Sequence, residues 1–419
     1  MSFFRIYIYL KLKYFFFSIF KKDNNLKYKI QKKINIYTKK KFTVLTGQLR
    51  VGFFLVLDFL KKKNPKKNEI IISSYNLPEM INICKNMKLK IIFPKLNDNI
   101  FISAEDLKKK INKKTLAVVI TNIFNHYKDI EGIKKICRRN RILLIEDNAI
   151  YFGNFIQRGN KKLYSGSFGD YTLHSFNIMK NISGMYGGSV STNDKIFYEY
   201  SKSNLKNFRN FSKIKYLKQC LIYFVLKILS INILYKYFFI KIIRWSHKTK
   251  NKLLLTMMYP SLNFTKGKFS SNFFSNLSSF SKKIIFLQLE NVTSIVNGHK
   301  TRKKNNLHYE KSFKKIMNKN FEIIEIKDKN FQNFNEYPII TKNKQTKEKL
   351  VDYLLSKGIE TKVIQYFDCE KIFAKKGIIK TTYQDRIICF PNHVKIKEKY
   401  IDYIILNIKS FFQKKLYEF

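Results

Sequence analysis

A chain of 419 residues, 45% hydrophobic and 26% charged, is long enough for one large domain with a core plus a smaller companion, and its composition is not that of a disordered protein. The formal net charge of +53 raises nucleic acid or an anionic membrane as a partner. The charge is mostly lysine spread along the whole chain, however, and without a helix-turn-helix, zinc-finger or RNP-like pattern it argues against nucleic acid. Five scattered cysteines with no CxxC pair support neither a disulfide framework nor a zinc site, and they fit a reducing, cytoplasmic setting.

In chain order, residues 1–42 begin with an apolar, aromatic stretch that Lys11 and Lys13 interrupt and that no small-residue cleavage site follows. We expect an amphipathic surface or packing segment there. Residues 43–204 then alternate short apolar runs with helical periodicity. Phe42–Leu60 begins as a strand and turns helical across Thr46–Arg50. Glu69–Ser73, Leu89–Phe93, Leu116–Thr121 and Ile142–Ile145 read as buried strands, with a helix ending near Met87 and another over Ile130–Arg138. Continuous apolar strands separated by helices predict an α/β domain whose mostly parallel sheet is covered on both faces. In such sheets ligands bind where loops leave the carboxyl ends of the strands, which is where Asp147 falls.

Residues 205–266 stand apart as an apolar helical insertion. Tyr216–Trp245 approaches the length of a membrane span, but Lys218, Lys227, Lys236 and Lys241 divide it. Two amphipathic helices, packed on the body or lying on a membrane face, fit the pattern better than a span. Residues 267–419 are expected to form a small α+β domain. It opens with one long helical pattern from Phe269 through Leu289 to about Lys314. Strands follow at Phe321–Ile326, Tyr337–Thr341 and Ile387–Phe390, with a helix over Thr346–Lys357 capped by Gly358 and a closing helix from about Lys397.

Chemistry concentrates in Ser167–Val190, where a strand-like GDYTLHSF runs into a loop holding Lys180 and then a turn with Gly184, Gly187 and Gly188. Most lysines are solvated surface charges. Lys180 instead sits between an apolar run and a tight glycine turn, near Ser175, and is read with the acid Asp147. A lysine that forms a Schiff base needs surroundings that lower its pKa. His174 faces the opposite way from Ser175 along the strand and is expected to be a core histidine.

These motifs, in this order, resemble the DegT/DnrJ/StrS aminotransferases. The resemblance rests on Glu146-Asp147-Asn148-Ala149, Gly169-Asp170 to Ser175-Phe176, and Lys180-Asn181 followed by Gly187-Gly188. It is supported by Thr46-Gly47-Gln48-Leu49-Arg50, Asn68-Glu69-Ile70-Ile71, Gln288-Leu289, Tyr337-Pro338-Ile339, Gly358-Ile359-Glu360 and Phe390-Pro391-Asn392-His393. It implies a fold-type I enzyme dependent on pyridoxal 5'-phosphate (PLP), acting on nucleotide-linked keto-sugars with glutamate as the amino donor, and completed as a homodimer. It further implies that Lys180 carries the cofactor and moves the proton, and that Asp147 faces the pyridine nitrogen. Ser175 with Gly47, Gln48 and Arg50 would hold the phosphate at a helix N-terminus, with Tyr75 near the ring.

Departures from the family pattern are Ile150 after the acidic tetrad, Leu77 at the stacking position, Asn122–Asn125 for a His-x-x-Gly, and Tyr186 for the Glu before the glycine pair. Tyr186, His393 and Asn276 (the nearest counterpart of a partner-subunit Asn-x-Arg) are the remaining substrate-side candidates. No metal is expected. The departures motivate a rival reading, a non-catalytic or membrane-associated protein of the same fold with an assembly or sensing role.

Overall fold

Runs of β-branched and aliphatic residues set the centre of the molecule, and helices fill the connections between them. The computed structural model describes residues 5, 7–21, 25–124, 127–251, 253–254, 267–270, 273–291, 293–317, 320–326, 334–362, 366–373 and 382–415. Asn125 of the Asn122–Asn125 segment and the end of the proposed insertion lie outside them. The chain opens with α1 (Leu12–Phe20), α2 (Leu26–Thr38), β1 (Phe42–Thr46) and α3 (Leu49–Lys63). It continues through β2 (Glu69–Ile72), β3 (Tyr75–Asn76), α4 (Pro78–Asn86), β4 (Lys90–Ile92), α5 (Ala104–Lys110) and β5 (Thr115–Thr121). Then come α6 (Tyr127–Arg139), β6 (Leu143–Asp147), the hairpin β7 (Phe155–Arg158) and β8 (Lys161–Tyr164), β9 (Tyr171–Ser175), β10 (Gly188–Thr192) and α7 (Lys195–Lys206).

Seven strands form one sheet in the order β1-β10-β9-β6-β5-β2-β4. The pairs from β4 to β9 are parallel, and β10 is antiparallel to both β9 and β1. Alternate residues of the parallel strands serve opposite faces, as the two-residue period of a strand requires. Ile70, Ile72, Val119 and Ile145 pack with α3 and α4, whereas Ile71, Val118, Ile120 and Leu144 pack with α6. The sequence-predicted strands are all present, within a residue or two except that Phe321–Ile326 is a strand only as far as Ile323.

The next stretch comprises α8 (Lys213–Leu229), the short α9 (Asn232–Leu234), a π-helical turn over Tyr235–Phe239, and α10 (Ile240–Lys248). Where one long helix was expected from Phe269 onward, the chain is interrupted. Ser275 bridges Arg209, Ser278 caps α11 (Ser279–Glu290), and the helix stops at Asn291 before α12 (Thr293–Ile316) begins. The physical reason is local: the Ser278 hydroxyl takes the Ser281 amide and starts a new helix, a competition that apolar periodicity does not register.

The remaining elements are β11 (Phe321–Ile323), β12 (Glu336–Thr341), α13 (Lys344–Ser356), β13 (Phe367–Asp368), α14 (Cys369–Phe373), α15 (Tyr383–Arg386), β14 (Ile387–Pro391) and α16 (Glu398–Lys415). A three-stranded antiparallel sheet, β11-β12-β14, shares one apolar core with side chains of α12, α13 and α16. Packing places α11 with α1 and α2 on the large body and most of α12 with the small one, while Ile295 near the start of α12 still packs with α2 and α11.

Candidate active site

β10 is antiparallel to both of its neighbours, so β1 runs in the same sense as β9 and the parallel strands. The start of α3 therefore emerges at the sheet edge where β5, β6 and β9 end. The register aligns these ends: Thr46 lies opposite Gly188, Gly188 opposite Ser175, and Asp147 between Thr121 and Leu173. One edge thus collects the Gly47–Arg50 turn, Ser175, Asp147 and the loop bearing Lys180.

Two glycines make this convergence possible. A Cβ on Gly188 would lie 2.3 Å from the Leu49 amide nitrogen and 2.5 Å from the Gln48 carbonyl carbon, so only glycine lets β10 abut the start of α3. A Cβ on Gly47 would meet the Ser275 carbonyl oxygen at 2.5 Å, the same oxygen that accepts the Gly47 amide at 3.0 Å. Gln48 stands at the N-cap of α3 and no side chain caps the first amides. Such an end suits an anion, because orphan N–H groups and the helix dipole both favour negative charge.

Glu146 and Asp147 are adjacent on β6 but play different parts. Glu146, fully buried, accepts backbone amides from Gly166, Phe168 and Gly169 at 2.8–2.9 Å and the Asn122 side chain at 2.8 Å. It is a clamp on the loop before β9. Asp147, 4% exposed, accepts the Ala149 amide at 3.1 Å. Burial raises its pKa to about 6, against the opposing pull of that amide and of the Lys180 charge.

Lys180 is partly buried, and protein crowds its amine closely enough to lower the pKa to about 8. Desolvation is the main cause; Asp147 and Glu336 oppose it, and Lys362 adds to it. An amine with a lowered pKa in the field of a buried carboxylate is the donor set that a PLP aldehyde and pyridine nitrogen require, and the uncapped start of α3 matches the phosphate. The residues present fit this cofactor.

The other sequence candidates divide. Arg50 reaches the Gln48 side-chain oxygen at 2.9 Å and pairs with Glu79 at 3.3 Å, so its guanidinium braces the turn. Tyr186 packs on Phe211 with ring centroids 4.5 Å apart and lies within the field of Arg50, next to that turn. Tyr75 is buried against Tyr366, with centroids 5.8 Å apart. It is Tyr366 whose pKa the Asp147 charge helps raise, after burial, so Tyr75 stands behind Tyr366. Asn276 and His393 are not brought into the cluster. Asn276 donates both amide hydrogens to the Leu205 and Phe208 carbonyls, pinning the end of α7. His393 is buried under Tyr7, with rings stacked at 5.6 Å, and takes the Lys395 amide, a turn-holding arrangement. His174 is the expected core histidine. Burial drives its pKa to about 3, and its Nε2 accepts the Asn148 amide at 3.0 Å.

Three groups escaped the sequence reading. Tyr366 and Lys362 come from the small body, where Lys362 donates to Glu336 at 3.0 Å. Arg302, 1% exposed on α12, reaches Asn181 beside Lys180 at 3.3 Å and His299 at 2.8 Å. The usable signal was proximity to a landmark, since Lys362 follows Gly358-Ile359-Glu360 by two residues; Arg302 carried none.

Residues 23–220 match the profile of the DegT/DnrJ/EryC1/StrS aminotransferase family. Over 86 residues the chain is 36% identical to GDP-perosamine synthase of Escherichia coli O157:H7, covering 20% of this chain and 22% of that one. Over 102 residues it is 28% identical to the UDP-4-amino-4,6-dideoxy-N-acetyl-beta-L-altrosamine transaminase of Helicobacter pylori (strain ATCC 700392 / 26695), covering 24% and 25%. The chain thus spans about a quarter of the length of the curated relatives it matches. Its fold is similar to that of Helicobacter pylori PseC, an aminotransferase involved in the biosynthesis of pseudoaminic acid, with TM-score 0.72, 16% identity, and 99% and 100% of the two chains covered. It is also similar to the PMP-form of the putative sugar aminotransferase Spr1654 from Streptococcus pneumoniae, with TM-score 0.69, 14% identity and 99% of both chains covered.

Proposed function

We propose that this protein, whose residues 23–220 match the DegT/DnrJ/EryC1/StrS aminotransferase profile, is a PLP-dependent aminotransferase that passes an amino group from glutamate to a nucleotide-linked keto-sugar. The observation that carries the reading is the Lys180 amine, held at lowered pKa within the electrostatic reach of the buried Asp147 carboxylate, at the edge where Ser175 and the start of α3 meet. Two relatives named for amino sugars on GDP and UDP support the substrate class. The assembly is read as a cytoplasmic homodimer serving polysaccharide or lipid-linked glycan synthesis.

In this reading Lys180 would hold the PLP aldehyde carbon, Asp147 the pyridine nitrogen, and Ser175 with the Gly47–Arg50 amides the phosphate. The bound cofactor supplies an electron sink for the carbon that carries the amine. Asp147 is largely anionic at neutral pH because its raised pKa is still about 6, so it favours a protonated ring nitrogen. Lys180, with its pKa near 8, gives up a proton far more readily than an ordinary lysine and can then take one from a substrate carbon. Lys362 and Arg302 add positive charge at the small-body side, suited to a substrate carboxylate or diphosphate.

The test is spectroscopic. Purified protein given PLP should show a visible band that borohydride bleaches and that glutamate converts, and Lys180→Ala should lack the band and lose at least about 10⁴-fold in turnover. A Lys180→Ala protein with an unchanged spectrum sinks the proposal. Failure of the native protein to retain PLP or react with glutamate favours instead the non-catalytic reading motivated by Ile150, Leu77 and Tyr186.

A further inference from the structure

Exposed apolar side chains are concentrated on one part of this molecule. Among the described residues 24 large hydrophobic side chains are exposed; 5 lie on α1 and 12 between Ile214 and Trp245. On α8 the outward residues Ile214, Leu217, Leu221 and Ile228 recur at spacings of three, four and seven, which is one helical face. The opposite face holds the helix to the body. Tyr223 and Gln219 are buried, and the Tyr223 hydroxyl donates to the Leu10 carbonyl at 3.1 Å. α1 docks beside α8 through Phe15, whose ring lies 6.1 Å from Tyr223 and 5.4 Å from Phe224. Exposed Ile19 of α1 and Leu217 of α8 line one cavity, so exposed residues of two helices about 200 residues apart in sequence adjoin.

The segments that build this surface carry charge of one sign, and an exposed acid within reach is Asp352 of α13, facing His247 at the end of α10. No Asp or Glu occurs from Tyr200 to Leu289 or from Met1 to Phe20, while Lys11, Lys13, Lys213, Lys215, Lys218 and Lys241 are exposed there. Lys227, which divides the apolar run in the sequence, turns inward and donates to the Ile8 carbonyl at 3.0 Å, so it does not interrupt the outer face. A second copy docked face to face on α1 and α8 would bring lysine against lysine, which opposes a self-interface there. An anionic bilayer answers both properties, with acyl chains for the apolar ridge and phosphates for the lysines.

Shape speaks against a straight span, although α8 and the Asn232–Lys248 stretch together have the length and composition of a broken one. Among the described residues no single helix is long and apolar enough to cross a membrane, and α8 meets the Asn232–Lys248 stretch at 76°. The 17 residues of α8 give a rod of about 26 Å, short of the roughly 30 Å hydrocarbon core.

We propose that α1 together with the α8–α10 stretch is an interfacial anchor that seats the protein on an anionic lipid bilayer, with the Leu217–Leu221–Ile228 ridge in the acyl boundary and the flanking lysines on headgroup phosphates. This goes beyond the transaminase reading and does not depend on it.

Trp245 is the chain's one tryptophan, and at 53% exposure within the α8–α10 stretch it is a built-in reporter. Full-length protein is floated with vesicles of phosphatidylcholine alone or with phosphatidylglycerol, and Trp245 emission is recorded with brominated acyl chains present. Flotation with the anionic vesicles, a blue shift and quenching by bromine are expected. The triple variant Leu217→Ser, Leu221→Ser, Ile228→Ser keeps every charge and should lower the bound fraction at least ten-fold; Phe16→Ser, Phe17→Ser on α1 gives an independent second variant. Lys215→Gln, Lys218→Gln should weaken binding several-fold. The proposal is overturned if wild-type protein stays off anionic vesicles, or if both apolar variants float like wild type with Trp245 emission unmoved, which is adhesion by bulk charge. It is equally overturned if the apolar variants change only the sedimenting mass, which identifies a second copy as the occupant.

Discussion

The site edge of the central sheet and the α8–α10 stretch follow opposite rules of solvation. At the sheet edge ionisable groups are taken out of water and answered by partners: Glu146 by three backbone amides, Asp147 by Ala149 and the Lys180 charge. Along α8 aliphatic groups remain in water although the helix has a body to pack on. The first arrangement costs desolvation and shifts pKa values, which is how a reactive amine arises. The second forgoes burial that would stabilise the fold, which is how a surface stays available for something else. Each departure from ordinary packing is a place where the proposed roles can be tested.

Asp147→Asn should cut turnover by roughly 10²–10³-fold with the fold intact, since the amide oxygen still accepts from Ala149 while the charge is gone. Circular dichroism alongside kinetics checks it, and near-native activity would mean that the carboxylate does not face the chemistry. Gly188→Ala should cost about 2–4 kcal/mol in chemical denaturation and weaken PLP retention, because its methyl group meets backbone at 2.3 Å and not a movable side chain.

The pH dependence sharpens the comparison. A lysine whose folded pKa is about 8 against an ordinary 10.5 destabilises the PLP-free fold fully below pH 8, and the penalty fades as pH rises to 10.5. Lys180→Met should therefore stabilise PLP-free protein by about 1–3 kcal/mol at pH 7 and by almost nothing at pH 10.5, as read by denaturant midpoints at the two pH values. The smallest effect is expected on the other surface. Leu217→Ser, at a side chain 69% exposed, should move stability by no more than about 0.5 kcal/mol. A large thermal shift there would mean that the ridge is buried in solution.

Much of the site was legible because its demands are local. Asp147 at a strand end, Ser175 and Lys180 after the next strand, and a glycine pair before the antiparallel return stand close together in the chain, and the paired register then brings their strand ends to one edge. Groups from the small body were not legible in this way. Tyr366 and Lys362 reach the Asp147–Lys180 pair from across the two bodies, and neither residue type stands out in a chain with 26 tyrosines and 82 lysines and arginines. Asn276 illustrates the converse: its neighbourhood looked apt, but its amide hydrogens were drawn to the carbonyls at the end of α7.

By itself the sequence determined the alternation of strand and helix and the mostly parallel sheet, and it singled out Lys180 and Asp147 as candidates, since hydrophobic period and short-range motifs act over a few neighbouring residues. Only the tertiary structure decided which face of α8 looks outward, that α1 lies beside it, that Lys227 turns in, and that α11 joins the large body. Those outcomes depend on which surfaces meet once the chain is compact, and apolar periodicity says that a face will be covered without saying by what.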